Sequence, residues 1–290
     1  MPGAHVSAEA FTAAVERVAA HRNRTVVVKL GGSAMEDPAA TDACLKSVAI
    51  LNRLGVPIVL VHGGGKPIDR AMAEAGLTPK KVAGRRYTDD ATLEIVVRVL
   101  WQLNFDLVTR LRSFGVLAES EATELFPLKG ERLLLTGSDL QSIDLGRVGK
   151  VTHVRSDLLG ETPGEDLFVS VIPSLALDAD GGWLNVNADT AASAVAGALK
   201  ADKAIFLTDT PGVLRDRHDP KSLIPKLTQA ECRALIASGV IDGGMVPKVE
   251  ACFDALEAGA SSALILDGRV PFSLLDVFLH DTFTGTEITR

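Results

Sequence analysis

The sequence predicts an α/β fold built on a mainly parallel sheet. Three observations carry that expectation. Five short apolar runs lack the in-and-out alternation of a half-exposed strand, as expected for strands covered on both faces. Helical patterns lie between them, and strand alternating with helix makes parallel pairing through crossover helices. Glycine-rich turns follow several of the runs, at the carboxyl ends of strands, where ligands of such sheets sit.

The chain opens on an amphipathic segment with Phe11, Val15 and Val18 on one helical face. It precedes the first strand, so two readings stand: a helix lying on its own subunit, or an arm packed on another. The first strand is read at Val26 to Leu30, interrupted by Lys29 and followed by Gly31-Gly32-Ser33. A helix over Ala39 to Leu54 precedes the second strand, Pro57 to Val61. That strand runs into His62-Gly63-Gly64-Gly65-Lys66-Pro67, with Pro67 expected at the first position of a helix ending at Ala75. A long helix is read over Ala91 to Arg112. Glu119 to Gly164 is polar and turn-rich, and reads as a hairpin-rich insertion over the sheet edge. The third strand is Leu167 to Ile172. A helix of small residues follows over Asp189 to Leu199, then a strand over Ala204 to Thr208. Helices over Gln229 to Ser238 and Pro247 to Ala258 lead to a last strand, Ser262 to Leu266. One domain is expected over residues 1–290, with an arm at 1–24 and a lobe boundary near Lys200-Ala201.

Composition narrows the function class. Apolar residues make up 47% of 290 residues, enough for a real core. No run approaches the roughly 18 apolar residues that a membrane helix needs. The first residues, Met1 to Arg24, lack the apolar centre of a signal peptide, so a cytoplasmic protein is expected. Cys44, Cys232 and Cys252 form no C-x-x-C pair, so neither a disulfide framework nor a zinc site is indicated. A net charge of −7 argues against nucleic acid as a partner. An acidic protein that handles anions must concentrate its cations locally, which makes each placed lysine or arginine informative.

Two lysines stand out. Lys29 interrupts an apolar strand and is followed by glycines, which let backbone N–H groups approach an anion. Lys248 follows Gly243-Gly244-Met245-Val246-Pro247, in the first turn of a helix. There it lies against the positive end of the helix dipole, which is unfavourable unless an anion sits there. By itself K-x-G-G equally describes an exposed lysine on a turn. The triple glycine after the second strand is more pointed, because a helix N-terminus favours anions; it is neither a Walker A loop nor G-x-G-x-x-G. His62 has no nucleophile to pair with and reads as a structural histidine. Gly84-Arg85-Arg86-Tyr87-Thr88-Asp89 holds adjacent arginines that suit a carboxylate or simply a solvated turn. Asn185-Val186-Asn187-Ala188-Asp189-Thr190 carries more polar groups than one helix cap needs. Thr208-Asp209-Thr210-Pro211-Gly212-Val213-Leu214 is a turn that could shape a nucleotide pocket, although Asp-x-Pro-Gly by itself signals only a turn.

Together these segments resemble the amino acid kinase family, from about Thr25 to Thr286. The motifs KLGGSAM, HGGGKPID, GRRYTD, NVNADTAA, FLTDTPGVL, GVIDGGMVPK and DGRVP occur in the family's order. The resemblance implies a three-layer αβα sandwich. It implies a transferase that moves the γ-phosphoryl group of ATP, with Mg2+, to the side-chain carboxylate of N-acetyl-L-glutamate, in arginine biosynthesis. It divides the chain into an acceptor-binding lobe at 25–200 and an ATP-binding lobe at 201–290. Lys29 and Lys248 resemble the two transition-state lysines, and Asp189 the aspartate that orients them. Gly64 and Gly65 resemble the acceptor-binding glycines, Arg86 the arginine on the α-carboxylate, and Asn185 the asparagine on the acyl-amino group. Gly32 falls beside the phosphoryl group, while Asp209, Gly212, Leu214, Gly243 and Gly244 fall in the nucleotide segments. No protein ligand to Mg2+ is assigned; phosphates and water are its expected ligands. The chemistry agrees, since an ionised carboxylate needs no general base and phosphoryl transfer is mostly positioning and electrostatics.

Three departures from the family's pattern leave alternatives open. Gly115-Val116-Leu117-Ala118-Glu119-Ser120-Glu121 stands where the family has a segment like G-L-S-G-K-D-G, and Asn104-Phe105-Asp106 lacks an expected lysine. Phe272 and Val277 stand where arginine-inhibited members carry a histidine and a glutamate, so weak or altered inhibition by arginine is expected. The N-terminal segment resembles the helix that interlaces dimers of such members into a hexamer, which implies a homo-oligomer. A signalling protein is a further partner that the resemblance leaves open. The alternatives in function are a kinase of a related acylated amino acid of aminoadipate type, and a catalytically silent amino-acid-binding paralogue.

Overall fold

The computed structural model describes residues 7–32, 34–82, 85–120, 125–136, 142–159 and 167–290. Ser33, Gly84 and Glu121, which belong to segments quoted above, lie outside these, as do parts of the stretch from Glu119 to Gly164. Helix α1 (Ala8–Ala19) is followed by β1 (Val26–Leu30), α2 (Pro38–Arg53), β2 (Ile58–His62) and α3 (Gly65–Glu74). The short β3 (Lys81–Val82) and β4 (Arg85–Arg86) pair antiparallel and lead to the long α4 (Asp90–Ser113). Then come β5 (Leu117–Glu119), β6 (Leu128–Thr136), β7 (Ser142–Val154), β8 (Phe168–Pro173), β9 (Leu175–Leu177) and β10 (Trp183–Val186). The remainder is α5 (Ala188–Ala198), β11 (Lys203–Thr208), β12 (Lys226–Thr228), α6 (Gln229–Ala237), α7 (Val246–Ala258), β13 (Ser262–Asp267), α8 (Ser273–Leu279) and β14 (Thr286–Thr289).

Eight strands form the central sheet in the order β12-β14-β13-β11-β1-β2-β8-β5. All neighbours pair parallel except β13 and β14. β1 sits inside the sheet between β11 and β2, so both its edges are hydrogen-bonded and both its faces are covered. Its period of two divides the molecule into layers. Val26, Val28 and Leu30 pack with Leu45 and Val48 of α2 and with Leu274 and Phe278 of α8. Val27 faces the other way, into a second core with Val195 of α5 and Val249, Cys252 and Leu256 of α7. This is the three-layer αβα arrangement expected. The second core extends to a small closed barrel, β10-β7-β6-β9, whose strands contribute Leu128, Leu177 and Leu184 to it, with Phe126 just before β6.

Local chemistry accounts for the helix ends. Asp37 caps α2 through the N–H groups of Ala39 and Ala40, and Thr228 with Glu231 forms a reciprocal capping box on α6. Pro67 departs from expectation: α3 begins at Gly65, so the proline is its third residue rather than its first. It is tolerated there because N–H groups of the first turn have no intrahelical partner. The small residues of α5 permit close contact with α7, where a Cβ on Gly197 would collide with Ala258. The insertion expected over the sheet edge instead contributes β6 and β7 to the barrel, and the short β5 is the edge.

Helix α1 divides its apolar face. Val18 is buried against the α2 and α8 layer, whereas Phe11 and Val15 are 64% and 39% exposed. Arg17 clasps Asp281 at 2.7 Å, and the His21 ring meets Phe278 edge-on while His21 Nδ1 lies 2.9 Å from Asp202. Among the described residues no helix is long and apolar enough to cross a membrane.

Candidate active site

Strand β1 carries Lys29 on the same face as Val27, so the ammonium points toward α5 rather than into the α2 layer. Lys29 Nζ lies 2.8 Å from Asp189 Oδ1, with side chains 11% and 22% exposed. The contact is close enough for an ion pair yet lies outside hydrogen-bond angles. A lysine this buried would be costly without a partner. Asp189 stands in the first turn of α5, with its own N–H held by the side chain of the capping Asn187 at 2.8 Å. The three polar residues of N-x-N-x-D therefore have separate tasks. Asn187 caps the helix, Asp189 meets Lys29, and Asn185 Nδ2 donates to Thr88 Oγ1 at 3.0 Å.

Two glycine turns close on this pair. A Cβ placed on Gly32 would lie 3.6 Å from Gly65 N and 4.0 Å from Lys66 N. The backbone beside Gly32 thus looks onto the first N–H groups of α3, where a helix favours anions. The remaining glycines differ in their reasons. A Cβ on Gly31 would meet the Leu207 carbonyl at 2.8 Å, and one on Gly64 would meet Leu100 at 2.9 Å. Gly65 has open space around it. Lys66 reaches across the mouth to Glu36 at 2.6 Å, tying the turn after β1 to α3.

These residues line a cavity of about 290 Å³. Arg86 enters it from β4, with its guanidinium 2.6 Å from Asp69 Oδ1 and bonded to the Gly65 carbonyl at 3.3 Å. Lys81, Arg85 and Ser174 also line it, together with Gly63, Gly64 and Asn185. Among the described residues the wall presents four cations, Lys29, Lys81, Arg85 and Arg86, and one carboxylate, Asp189. Such a wall suits an acceptor with two negative charges. Lys81, Ser174 and Asp69 were not singled out from the sequence, and Arg85 only as one of two adjacent arginines that suit a carboxylate or a solvated turn. Asp69 had a usable signal, since it lies four residues after Gly65 and so one turn further along the same face of α3.

A second cavity, of about 420 Å³, opens at the end of β11, the parallel neighbour of β1. Asp209, Gly212, Leu214, Gly244 and Lys248 line it, with Val213, Val240, Ile241 and Met245 as apolar walls. Lys248 is the third residue of α7; its Nζ donates to the Gly244 carbonyl at 3.1 Å and lies 3.9 Å from Asp209. In this structure Asp189 thus pairs with Lys29, and Lys248 with Asp209. Gly212 has a packing reason to be glycine, with φ of 137° and Thr286 Oγ1 2.6 Å from where a Cβ would be. Gly243 has φ of 51° and, like Gly244, open space beside it.

His62 is fully buried behind the first cavity. Asn104 Nδ2 lies 3.1 Å from His62 Nε2 and also donates to the Val171 carbonyl at 3.0 Å, while His62 Nδ1 faces the Gly63 carbonyl at 3.2 Å. That network fits a neutral ring protonated on Nδ1. Burial pushes the imidazole down to about 4, against a smaller opposing effect of the Gly63 carbonyl. The ring is a structural group. The three thiols are buried and unpaired by disulfides, and burial raises Cys44 to about 12.

The geometry can be compared with known proteins. The family described as "Amino acid kinase family" matches residues 24–267. A curated relative, the acetylglutamate kinase of Clostridioides difficile, is 39% identical over 271 residues, covering 93% of this chain and 92% of its own. The acetylglutamate kinase of Methanococcus maripaludis is 37% identical over 292 residues, covering 99% of each. Among solved structures, N-acetylglutamate synthase from Neisseria gonorrhoeae, complexed with coenzyme A and N-acetyl-glutamate, superposes with a TM-score of 0.81 at 22% identity. The match covers 99% of this chain and 64% of that longer one, and at this identity it speaks for the fold.

Proposed function

The chain belongs to the amino acid kinase family, and from that premise we propose that it transfers the γ-phosphoryl group of ATP to the side-chain carboxylate of N-acetyl-L-glutamate. The product is the acyl phosphate, N-acetyl-L-glutamyl 5-phosphate, formed in a step of arginine biosynthesis. The observation that carries this reading is the cation-lined cavity at the end of β1, beside a second cavity at the end of the neighbouring β11. In this reading an acceptor with two carboxylates takes the first cavity and a nucleotide the second, at the ends of two adjacent parallel strands.

In this reading a carboxylate oxygen of the acceptor attacks the γ-phosphorus while the bond to the β,γ-bridging oxygen breaks and ADP leaves. No proton moves, so no general base is required, consistent with His62 being buried and neutral. Lys29 carries positive charge from the acceptor side, held by Asp189, and Lys248 carries it from the nucleotide side. The N–H groups of Gly65 and Lys66, facing Gly32, receive phosphoryl oxygens. Arg86, held by Asp69, binds the α-carboxylate, and Asn185 the acyl-amino group, with Gly64 and Gly65 forming the floor. Asp209, Gly212, Leu214, Gly243 and Gly244 shape the nucleotide site. Residues 25–200 then form the acceptor lobe and 201–290 the nucleotide lobe. Among the described residues no group of three or more His, Cys, Asp or Glu is placed to hold a metal. In this reading Mg2+ would come with the nucleotide, with phosphates and water as its main ligands.

Trapping the acyl phosphate as a hydroxamate tests the reaction, with N-acetylglutamate, N-acetylaspartate, glutamate and N-acetyl-aminoadipate as acceptors. N-acetylglutamate should give by far the highest kcat/KM. Preference for the aminoadipate derivative would move the assignment to that acceptor, and turnover of none would leave a binding protein. The half-used apolar face of α1, with Phe11 and Val15 exposed, supports a homo-oligomer in which this helix packs on a second copy. Light scattering should show an assembly that Phe11→Glu shrinks; an unchanged mass would count against it.

A further inference from the structure

Asn185 stands on β10, and its side-chain amide has two chemically different ends. Which end faces the acceptor decides what the acceptor must offer. Thr88 settles the question. It is fully buried, with its N–H donating to the Leu145 carbonyl at 3.1 Å and its own carbonyl accepting from Arg147 N at 2.6 Å. It is thus fixed between the start of α4 and β7. Its Oγ1 lies 3.0 Å from the Arg86 carbonyl oxygen and 3.0 Å from the Asn185 amide. A carbonyl can only accept, so the one hydroxyl proton goes to Arg86. The hydroxyl oxygen can then only accept from Asn185, which requires that the NH2 end face Thr88. Oδ1 is thereby turned away, and among the described residues it has no hydrogen-bond partner. Asn185 itself lines the acceptor cavity.

We propose that Thr88 is a positioning residue that locks the Asn185 amide so that Oδ1 faces the acceptor, making the site select acceptors that carry an N–H on the acylated nitrogen. One hydroxyl holds two elements of the site at once, Asn185 through its side chain and Arg86 through its backbone. A site built to accept a hydrogen bond discriminates against an analogue that lacks the donor, because the buried oxygen is then left unpaired. A free rotor would not, since Asn185 could turn its NH2 toward an oxygen. The inference rests on the reading of this cavity as the acceptor site.

The test compares N-acetyl-L-glutamate with its ester isostere, 2-acetoxyglutarate, in which oxygen replaces N–H. The wild-type protein should favour the amide by at least about tenfold in kcat/KM. Thr88→Val keeps the shape and removes the hydroxyl. It should raise the KM for the amide by about tenfold with kcat within about twofold, and reduce the amide preference to about threefold. Thr88→Ser should restore both. A merely structural defect would lower activity toward the two acceptors in proportion and leave their ratio unchanged. A Thr88→Val protein with the wild-type ratio overturns the role of Thr88 while leaving the acceptor reading intact. A wild-type protein that uses the ester as well as the amide overturns the orientation of Asn185, and that measurement needs no variant to fold. A wild-type protein that turns over no N-acetylglutamate removes the acceptor reading, and this inference with it.

Discussion

Adjacent glycines after β1 should fail in opposite ways when given a methyl group. In Gly32→Ala the new Cβ would lie 3.6 Å from Gly65 N and 4.0 Å from Lys66 N, ordinary contact distances, and Gly32 is not in the left-handed region. The fold therefore accommodates it, and Gly→Ala at a compatible position adds about 0.4–1 kcal/mol of stability. The same methyl occupies the gap through which phosphoryl oxygens would reach the two N–H donors. Loss of one preorganised donor lowers kcat by about 10²- to 10³-fold. In Gly31→Ala the Cβ would lie 2.8 Å from the Leu207 carbonyl oxygen, a backbone atom of the neighbouring β11 that cannot step aside. Overpacking of that kind costs about 1–3 kcal/mol. Thermal melts and hydroxamate formation at saturating ATP and acceptor separate the two effects. Gly32→Ala should melt at or above the wild-type temperature with almost no turnover, and Gly31→Ala should melt several degrees lower. A Gly32→Ala protein with kcat within about threefold of wild type would refute the phosphoryl site between β1 and α3.

Other consequences follow from the same geometry. Lys248→Ala should lower kcat far more than it raises the acceptor KM, whereas Arg86→Ala should chiefly raise that KM; steady-state kinetics showing the reverse would exchange their roles. His62 has its imidazole pushed down to about 4 by burial, below its ordinary 6.5, so the unfolded chain takes up the proton first as pH falls. Stability is therefore whole above about pH 6.5 and declines toward pH 4, by up to about 3 kcal/mol. Urea midpoints across that range should show a slope that His62→Asn largely removes. At the chain's C-terminal side, Phe272 is 42% exposed and Val277 buried, and neither offers a charge to a guanidinium. A coupled assay should show little inhibition by micromolar arginine, and strong inhibition would contradict this.

How far the sequence alone reaches depends on the kind of signal. β1 was legible to the residue because a strand buried on both faces leaves an uninterrupted apolar run, and Lys29 within it was conspicuous for the same reason. β9, β10, β12 and β14 were missed, being three or four residues long, too short for any periodicity to show. α8 was hidden behind the Asp267-Gly268-Arg269 turn, in which Arg269 folds back on Asp267 at 2.7 Å. Within the site, residues next to glycine turns were found, since glycine advertises close backbone approach. Lys81 and Arg85 were not assigned to the cavity, because a basic residue in a turn looks the same whether it faces solvent or a ligand. Thr88 and Asp69 contact other side chains of the cavity, and contacts such as that between Thr88 and Asn185, so distant in sequence, leave no local trace.

The two conspicuous lysines turn out to be held differently, and that difference bears on how they would act. Lys29 is 11% exposed and clasped by Asp189 at 2.8 Å, on a strand hydrogen-bonded along both edges. Its position is fixed by the sheet, and its charge needs no rearrangement to meet an anion beside Gly32, the condition under which electrostatic stabilisation is most effective. Lys248 is 23% exposed, 3.9 Å from Asp209, and spends a proton on the Gly244 carbonyl. It sits where the helix dipole opposes it, so a polyanion in the second cavity would relieve an unfavourable charge and draw the side chain away from Gly244. One lysine is thus a fixed part of the first cavity's wall, and under the proposed function the other is a charge that nucleotide binding would recruit. Asp189 serves the first directly. Under the proposed function the ordering of the second would come with the nucleotide, because the carboxylate near it, Asp209, lines the second cavity.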